Sequence, residues 1–500
     1  MKNRTSRMEA DTPQSPRSIP MYSDDETRDG RRPAARRPSH RGGGGRGWLA
    51  MGLVLAVLTT AACEDPFDVD NPNNATETQL DEPASAPALV NGAQATVSRA
   101  ASVIAAPYSV TTDELTWIGS RDAWNQMNFG RLDDPNNEFS DDAFDWVAQG
   151  RFMADRAIDR VTTFDGDGTL EDRTDLARAY LYGGIIYTII GDVYDDFVLP
   201  STPTEEASPI GGDNMSSVYD QAITYLTEGL SVARDEGDTE LEVRLLAMRA
   251  RAQHARAVWE QLNPAGSAPA DPLVDVQAAV DDAQAVLNMI AGTPDWTYRF
   301  TYSSSTVPQT GNVPGFINVG FQVNQRGELQ IGPDYVDVDS EDPTDIVNEG
   351  QIPGAGITLM DPIDDVPDPA VGAAIAEFIA AAEFAPFTVV SAREMHLIIA
   401  EAALAGGDDG GSGEFASHVN AVRSLDGLSD YTGPGQIDPV TLLEHERRVN
   451  LYLQVRRLAD HYRFESPSSN WLSGSAALRT PGTFFPISIS EIRSNPNVGG

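Results

Sequence analysis

Cysteine, lysine and long apolar runs are nearly absent from this sequence of 500 residues. Cys63 is the single cysteine, so no disulfide framework can stabilise the fold, and a large hydrophobic core has to do so instead. Lys2 is the single lysine. One apolar run stands out, at residues 48–62, and no second run reaches the length of a membrane-spanning helix.

Basic residues are also scarce relative to acidic ones. The chain holds 35 Lys and Arg against 75 Asp and Glu, which gives a formal net charge of −40. After residue 62 the balance becomes −45, with 24 basic and 69 acidic residues. So large a negative charge argues against nucleic acid and anionic lipid headgroups as direct partners, and it suits a neutral or cationic ligand.

The apolar run has the layout of a bacterial lipoprotein signal. Arg41 and Arg46 precede residues 48–62, the run ends in the small residues Thr60-Ala61-Ala62, and Cys63 follows. Fifteen residues are too few for a membrane-spanning helix and suit a signal core. We therefore predict lipidation of Cys63 and a mature chain anchored on a membrane surface. The alternative is a buried cysteine behind a core helix.

The segment before the signal, residues 1–47, is rich in Arg, Pro, Ser and Gly. Such a composition cannot bury a hydrophobic core, so we predict a disordered leader, or a start codon assigned too early. A basic arm that binds nucleic acid is the alternative interpretation.

After Cys63 the sequence predicts a polar tether, residues 63–80, and then a single domain, residues 81–500. Proline and asparagine in the tether oppose regular structure. Apolar residues at helical spacing and capping boxes at Ser391 and Thr441 then predict a mainly α fold of antiparallel helix pairs, similar to tetratricopeptide packing. The predicted helices are Leu89–Ala106, Asp141–Val161, Thr174–Ile190, Ser217–Arg234, Glu240–Leu262, Pro272–Ile290 and two that begin at Ser391 and Thr441.

One long irregular region, residues 292–372, interrupts the helical pattern. It is rich in Gly, Pro, Thr, Asp and β-branched residues. Its aromatic residues Trp296, Tyr298, Phe300 and Tyr302 alternate with polar ones, which is the period of a strand. Phe316, Val319 and Phe321 indicate further short strands. Long irregular segments on rigid scaffolds often carry function.

The C-terminal third resembles a known family. Residues 393–402, REMHLIIAEA, are similar to the "R-x-E-(apolar)-x-L-x-x-A-E-A" helix of the SusD/RagB family. Residues 420–423, 446–460 and 485–496 resemble the family's "N-x-(V/I)-R", "E-R-R-x-E-L-x-x-E-G-x-R-x-x-D" and "(F/L)-P-I-P-x-x-E" motifs in the same order. Upstream, residues 191–193 and 217–219 resemble its "F-G-D-V-P" turn and the helix start that follows.

Several residues depart from these motifs. Asn450 stands where the family has Glu, Gln454-Val455 replaces Glu-Gly, and Tyr194 occupies a position where proline is common. The charged residues of the third motif, Glu446, Arg447, Arg457 and Asp460, are predicted to lie on one helix and to form a structural ion-pair network rather than a catalytic set.

The resemblance implies a cell-surface lipoprotein of the outer membrane. Family members act as lids on TonB-dependent β-barrel transporters (SusC-like partners) and bind nutrients, commonly oligosaccharides, without cleaving them. The acidic residues Glu64 and Asp65 after Cys63 resemble the signal that exports such lipoproteins to the surface. The alternatives are a surface glycoside hydrolase and a helical-repeat scaffold that binds proteins.

Sugars bind to flat aromatic faces and to fork-like polar side chains. The segment Thr111–Arg131 combines both and lies where the family's ligand contacts are commonly found. The strand-like stripe that includes Trp296 and Tyr298 offers a second platform, although such a stripe often packs on a neighbour. The candidate ligand-binding residues are Trp117, Arg121, Trp124, Asn125, Asn128, Trp296 and Tyr298.

Other chemistry is weakly indicated. The histidines are scattered, and neither a nucleophile elbow nor a phosphate loop is present in the sequence. Residues 165–171 resemble part of a calcium loop, but Thr169-Leu170 breaks the pattern, so a solvated turn between helices is the preferred interpretation and calcium binding the alternative. We therefore predict no catalytic residues, no metal site and no cofactor, and no motif specifies the ligand.

Overall fold

A computed structural model describes residues 77–202, 204–303, 318–337 and 356–498 of the chain. All of them belong to one compact unit, Asn73–Gly500. The predicted leader, the signal core and Cys63 lie outside the described residues, as does most of the tether.

Helices make up most of the described chain. The strands are β1 Leu115–Trp117, β2 Thr297–Phe300, β3 Leu329–Ile331 and β4 Phe387–Ser391. The helices are α1 Glu77–Leu80, α2 Ala86–Thr111, α3 Asp122–Asn128, α4 Glu138–Gly166, α5 Thr174–Val193, α6 Ser216–Glu236, α7 Thr239–Leu262, α8 Gln277–Met289, α9 Val319–Asn324, α10 Pro369–Ala380, α11 Ala392–Ala405, α12 Glu414–Leu425, α13 Pro439–Asn450, α14 Arg457–Arg463, α15 Ala476–Arg479 and α16 Ile489–Ser494.

The long helices pack as successive pairs. α2 packs on α4, α5 on α6, α6 on α7 and α7 on α8, and α11 then packs on both α8 and α12. This arrangement confirms the predicted mainly α class with tetratricopeptide-like helix pairs. Among the described helices, none combines the length and the apolar character that crossing a membrane requires.

One close approach between helices in this frame depends on a glycine. A Cβ on Gly191 would lie 2.5 Å from the ring of Tyr219. The next residue, Asp192, accepts a hydrogen bond of 3.0 Å from the Tyr219 hydroxyl. The two upstream motifs therefore contact each other, because glycine lets α5 approach α6. At Tyr194, the backbone N–H donates to the Ile190 carbonyl (3.1 Å), a bond that proline cannot make.

The capping predictions succeed at one helix and fail at another. Ser391 Oγ accepts from the Glu394 N–H (3.2 Å) and caps α11 as predicted. The Glu394 carboxylate does not reach back to complete the box, because it accepts from Arg456 Nε (2.9 Å) instead. The predicted start at Thr441 is wrong: α13 begins at Pro439, with Asp438 as its N-cap. Aspartate at the N-cap followed by proline at the first helical position is a strong start signal, so the helix begins there and not at Thr441.

Two other helix starts also shift. α6 begins at Ser216, one residue before the predicted Ser217, without a side-chain cap. α8 begins at Gln277 rather than Pro272. The chain is still extended at Val274, whose N–H donates to the buried Glu401 carboxylate (3.1 Å). A long-range acceptor therefore holds this segment outside the helix.

The irregular region contributes to two small antiparallel sheets. β1 pairs with β3, with Leu115 opposite Ile331, and β2 pairs with β4, with Thr297 opposite Ser391. The strand predicted at Trp296–Tyr302 is confirmed over residues 297–300. The strand predicted around Val319 and Phe321 is wrong, because Asn318 accepts from the Phe321 N–H (2.8 Å) and caps the short helix α9. Phe316 lies outside the described residues.

The charged motif residues form buried ion pairs that join the C-terminal helices. Glu446 pairs with Arg423 (2.8 Å), Arg447 with Asp460 (3.0 Å) and Arg457 with Asp113 (2.9 Å). The structural role is confirmed, because all four predicted residues are buried and paired. Their placement on one helix is wrong: a turn at residues 451–456 separates α13 from α14.

Candidate functional site

The predicted ligand segment folds as the end of α2, strand β1, a turn and helix α3. Trp124 lies on the inner face of α3 and is 0% exposed. Its ring stacks on Phe139 of α4, with ring centroids 3.7 Å apart and planes 10° apart. The face that a sugar would need is therefore covered by a neighbouring ring. Trp124 is a core residue in this structure, so its predicted stacking on a ligand is wrong.

Arg121 is partly exposed but already paired. Its guanidinium donates two hydrogen bonds to Glu138 (3.1 and 2.8 Å), which raise the pKa of Arg121. The backbone N–H groups of Ser120 and Arg121 both donate to the Glu328 carboxylate (2.9 and 3.0 Å). A Cβ on Gly119 would lie 2.2 Å from that carboxylate, so glycine is required for the turn to close around it.

The remaining predicted residues of the segment differ in whether their polar atoms have hydrogen-bond partners. Asn128 is buried, and its Oδ1 accepts from Thr116 Oγ1 (3.2 Å) and Asn470 Nδ2 (3.3 Å), so it holds the turn rather than a ligand. Trp117 and Asn125 are half-buried. The indole N–H of Trp117 and Oδ1 of Asn125 have no hydrogen-bond partner among the described residues.

The aromatic stripe of β2 faces the core. Tyr298 is 7% exposed, lies against Phe300 and carries the Arg244 guanidinium 4.7 Å above its ring. Trp296 is half-buried and packs on the same core cluster. The platform predicted at Tyr298 is therefore wrong, since the ring is covered. Side chains alternate along a strand, so the opposite face of β2 presents Thr297 and Arg299.

That opposite face opens onto a cavity of about 330 Å³. We call it the β2–β4 groove. Strands β2 and β4 form one wall, α10 forms another, and the end of α13 with the turn after it closes the third side. Its lining residues are Asp295, Thr297, Arg299, Ala370, Ala373, Ala374, Glu377, Phe378, Pro386, Thr388, Ser391, Arg393, Val449, Asn450, Tyr452, Leu453 and Gln454.

Charges in the groove are balanced in pairs. Arg299 lies 2.7 Å from Glu377, and Arg393 lies 2.8 Å from Asp295. Hydrogen bonds from Arg393 lower the pKa of Asp295. Burial opposes the charge of Arg393, but its bonds to Asp295 and Asp426 outweigh that effect and raise its pKa. The groove is therefore polar without a net charge.

Some polar atoms of the groove lack an intramolecular partner among the described residues. Gln454 is 8% exposed; its Nε2 donates to the Asn450 carbonyl (3.0 Å), but its Oε1 is buried without a donor. Arg299 Nε is likewise buried without an acceptor. An unpaired buried polar atom costs about 1–3 kcal/mol, so a side-chain movement that turns such an atom towards a ligand or water in the cavity would be favourable.

The turn that closes the groove is strained. Leu453 and Val455 have φ values of 57° and 61°, a region that residues other than glycine enter uncommonly and that β-branched residues such as Val455 rarely enter. The conformation is enforced by neighbours: the Leu453 N–H donates to the buried Glu114 (2.6 Å), and Arg456 is paired with Glu394. Strain of this kind costs about 1–3 kcal/mol per residue and often accompanies binding sites.

The sequence contained one signal for this groove. Asn450 and Gln454, the two neutral amides that replace motif glutamates, both line it. Asn450 Oδ1 accepts from Arg393 (2.7 Å), whereas Gln454 keeps a free acceptor. The departures from the motif thus cluster at one cavity and reduce its negative charge.

One group of three described side chains has donor atoms close enough to hold a metal: Asp361, Asp368 and His445. These atoms are already engaged. Arg423 donates to both oxygens of Asp361 (2.7 and 3.0 Å), and His445 Nε2 lies 3.0 Å from Asp368, which also caps α10. A guanidinium in contact with one carboxylate opposes a second cation, so the cluster is an ion pair and a helix cap.

Comparison with known proteins finds similarity in structure alone. No family model matches the sequence, and no curated protein matches it. A SusD superfamily protein from Bacteroides thetaiotaomicron superposes with a TM-score of 0.56 at 12% identity, covering 84% of this chain and 98% of that one.

Two further solved structures agree. A SusD superfamily protein from Parabacteroides distasonis gives a TM-score of 0.53 at 14% identity, with 85% and 99% of the two chains covered. A SusD-like carbohydrate binding protein from Bacteroides vulgatus gives 0.50 at 13% identity, with 83% and 97% covered. Each match spans nearly the whole of the solved chain and most of this one. The fold implied by the motif resemblance is confirmed: the chain has the fold of the SusD superfamily.

Proposed function

We propose that this protein is a member of the SusD family that binds oligosaccharides at the cell surface and delivers them to a TonB-dependent outer-membrane transporter. The SusD fold, the ordered motifs and the lipoprotein-like signal support the proposal together. One protein of the same fold is a carbohydrate binding protein. The observation that carries the ligand class is the groove with paired charges and unpaired hydrogen-bonding atoms.

The chemistry of the β2–β4 groove suits a neutral polyhydroxylated ligand. Its charges are already compensated, so an ionic ligand would meet no free countercharge. Gln454 Oε1 and Arg299 Nε are buried beside the groove, so a small movement of each side chain would let a sugar hydroxyl donate to Oε1 and accept from Nε. Ala370, Ala373 and Ala374 give α10 a smooth apolar flank for C–H groups.

A second contact surface is proposed at the turn before α3. Trp117, Arg121 and Asn125 keep partly exposed side chains there, and two of them hold unpaired polar atoms. Since the protein carries a strong negative charge, neutral glycans are favoured over acidic ones at either surface.

Binding without cleavage is proposed. A glycoside hydrolase needs two carboxyl groups that flank the scissile bond. The acids of the groove, Asp295 and Glu377, are each held by an arginine, which suits ligand positioning better than proton transfer. Incubation with a panel of glycans should release no reducing ends; measurable release would favour the hydrolase alternative.

The binding test compares two arginines. The full chain is titrated calorimetrically with soluble neutral oligosaccharides, and the tightest one is kept as the probe. Arg299→Ala removes a charged donor from the groove and should weaken binding roughly 10-fold or more, because such hydrogen bonds contribute about 1.5–3 kcal/mol. Arg234→Ala is the matched control, since Arg234 forms a comparable surface pair with Glu242 outside the groove (2.7 Å).

Either of two results would count against the proposal. If Arg299→Ala binds the probe as wild type does, the groove is not the binding site. If no neutral glycan binds at all, the helical-repeat scaffold that binds proteins becomes the better interpretation.

A further inference from the structure

Two histidines of this chain face each other instead of a carboxylate. The sequence holds six histidines, and five lie in the described residues. Three of these pair with acids: His254 with Glu401, His445 with Asp368 and His461 with Asp113. The other two, His396 and His418, place their Nδ1 atoms 2.8 Å apart.

The pair bridges two packed helices. His396 lies on α11 and His418 on α12, and their ring centroids are 5.1 Å apart with planes inclined at 48°. Beneath them the same helices share a buried cluster that includes Leu397, Phe415 and Val419. That core fixes both backbones, so the two imidazoles are held together without the help of the contact itself. Both rings are half-buried, which leaves an edge open to solvent.

The nitrogen separation is short enough for one metal ion to reach both rings. Metal–imidazole bonds are about 2.0 Å long, so two cis ligands at 90° have nitrogens about 2.8 Å apart, whereas tetrahedral ligands have them about 3.3 Å apart. The two nitrogens are 2.8 Å apart because they share a hydrogen bond, so the cis geometry would need the smaller movement of the rings. We propose that His396 and His418 form a two-histidine site for a divalent metal of tetragonal preference, Ni²⁺ or Cu²⁺, in which the metal replaces the shared proton.

The surroundings favour a cation. Glu414 lies one helical turn before His418 on α12 and offers a further oxygen within reach of a side-chain rotation. Burial lowers the pKa of His418, and Glu414 opposes that effect. Burial also lowers the pKa of His396 to about 4, so protons do not compete with the metal at neutral pH. The net charge of −40 raises the local concentration of cations.

This site is separate from the glycan groove and does not depend on the proposed function. None of the residues lining the β2–β4 groove belongs to it. It also differs from the Asp361 cluster, where an arginine already occupies the carboxylate oxygens.

The test is a calorimetric titration of the full chain, without a polyhistidine tag, with NiCl₂. Wild type should bind one equivalent of Ni²⁺ that His396→Gln and His418→Gln each weaken by 10-fold or more. Ser417→Ala changes an exposed neighbour of His418 and should bind Ni²⁺ as wild type does. Retention of the same binding in both histidine variants would assign it to His40, Cys63 or adventitious groups and overturn the proposal.

Two further measurements bear on the site. Zn²⁺ prefers tetrahedral ligands and should bind no tighter than Ni²⁺; a 10-fold preference for Zn²⁺ would reject the tetragonal geometry.

On wild type, Ni²⁺ should protect His396 and His418 from diethyl pyrocarbonate, as mapped by peptide mass spectrometry. Equal modification with and without Ni²⁺ would refute the site even if the variants failed to fold.

Discussion

Trp124 of α3 stacks face to face on Phe139 of α4, with ring centroids 3.7 Å apart. The indole is fully buried, and the contact joins the turn after β1 to the helical frame. In the sequence, Trp124 resembles a residue that stacks on a sugar. In the structure it instead positions the loop that carries Arg121 and Asn125.

Truncating this ring should cost stability rather than affinity. Trp124→Ala removes a fully buried aromatic side chain, and such changes lower the free energy of unfolding by about 3–5 kcal/mol. Trp124→Phe keeps a stacked ring and should lose less. Urea unfolding gives the stability of both variants, and titration with the glycan probe at a temperature where both are folded gives affinity. A loss of affinity in Trp124→Ala with unchanged stability would return the residue to the binding site.

The helical frame could be predicted because its signals are local. Apolar residues three and four apart report a buried helix face without reference to the rest of the chain. The errors occur where a distant group decides the outcome. Val274 stays extended because Glu401 accepts its N–H. Glu394 leaves its capping box because Arg456, 62 residues later, offers a charged partner.

The binding surface was harder to predict for the same reason. The alternation of aromatic and polar residues predicted strand β2, but it did not predict which face of the strand points outward. The outward face depends on the core against which Tyr298 and Phe300 pack. The groove itself is assembled from β2, from the neighbouring elements α10 and β4, and from the turn after α13, three parts of the chain that are far apart in sequence. Its one local sign was the pair of amides, Asn450 and Gln454, at positions where the motif has acids.

Arg423 should be indispensable to the C-terminal helices. It is fully buried and donates to Asp361 (2.7 Å), Glu446 (2.8 Å) and the Ser429 carbonyl (2.7 Å). Arg423→Met would leave two buried carboxylates without their cation, and breaking such pairs costs about 3–5 kcal/mol. Arg234→Met breaks an exposed pair and should cost about 0–1 kcal/mol. Urea unfolding of both variants checks the contrast; equal small losses would mean that Arg423 is not a structural cross-link.

Glu114 should make stability depend on pH. Burial raises its pKa from 4.5 to about 7, the Leu453 N–H bond partly offsets this, and the neighbouring Asp113 adds to it. Between those values the folded state holds a proton that the unfolded state has released, so the free energy of unfolding falls as pH rises from about 4.5 to about 7. The effect is about 3 kcal/mol at most, from about 1.4 kcal/mol per unit.

The Glu114→Gln variant isolates this contribution. Its amide oxygen can still accept from the Leu453 N–H, but it does not ionise. Relative to wild type, the variant should gain stability between pH 5 and pH 8, as measured by urea unfolding at both values. Parallel changes in the two proteins over this range would show that Glu114 does not titrate there.

Cys63 should be required for membrane anchoring, because the predicted lipoprotein signal places the lipid on its sulfur. Cys63→Ala removes the sulfur that would carry the lipid, so the variant should accumulate unprocessed or leave the membrane fraction. Fractionation and surface protease sensitivity in the native host measure this. A variant that fractionates with the membrane and remains protease-sensitive on intact cells would exclude lipidation at this residue.

Substitution of Gln454 should lower affinity while leaving stability nearly unchanged. Its Oε1 is buried beside the groove without a donor among the described residues, while Nε2 holds the Asn450 carbonyl. Gln454→Leu removes the unpaired acceptor, which stabilises the unliganded protein. It also removes the hydrogen bond to the Asn450 carbonyl, which destabilises it by a similar amount. Stability should therefore change by less than about 1 kcal/mol.

Affinity for the glycan probe should fall in the same variant by roughly 2- to 12-fold, because a neutral hydrogen bond contributes about 0.5–1.5 kcal/mol. Gln261 supplies a matched control: its Nε2 also donates to a backbone carbonyl, that of Leu273 (2.6 Å), and its Oε1 is also buried and unpaired, but it lies outside the groove. Gln261→Leu should keep full affinity. If both variants bind alike, the acceptor of Gln454 does not contact the ligand, and the unpaired atoms of the β2–β4 groove do not mark the binding site.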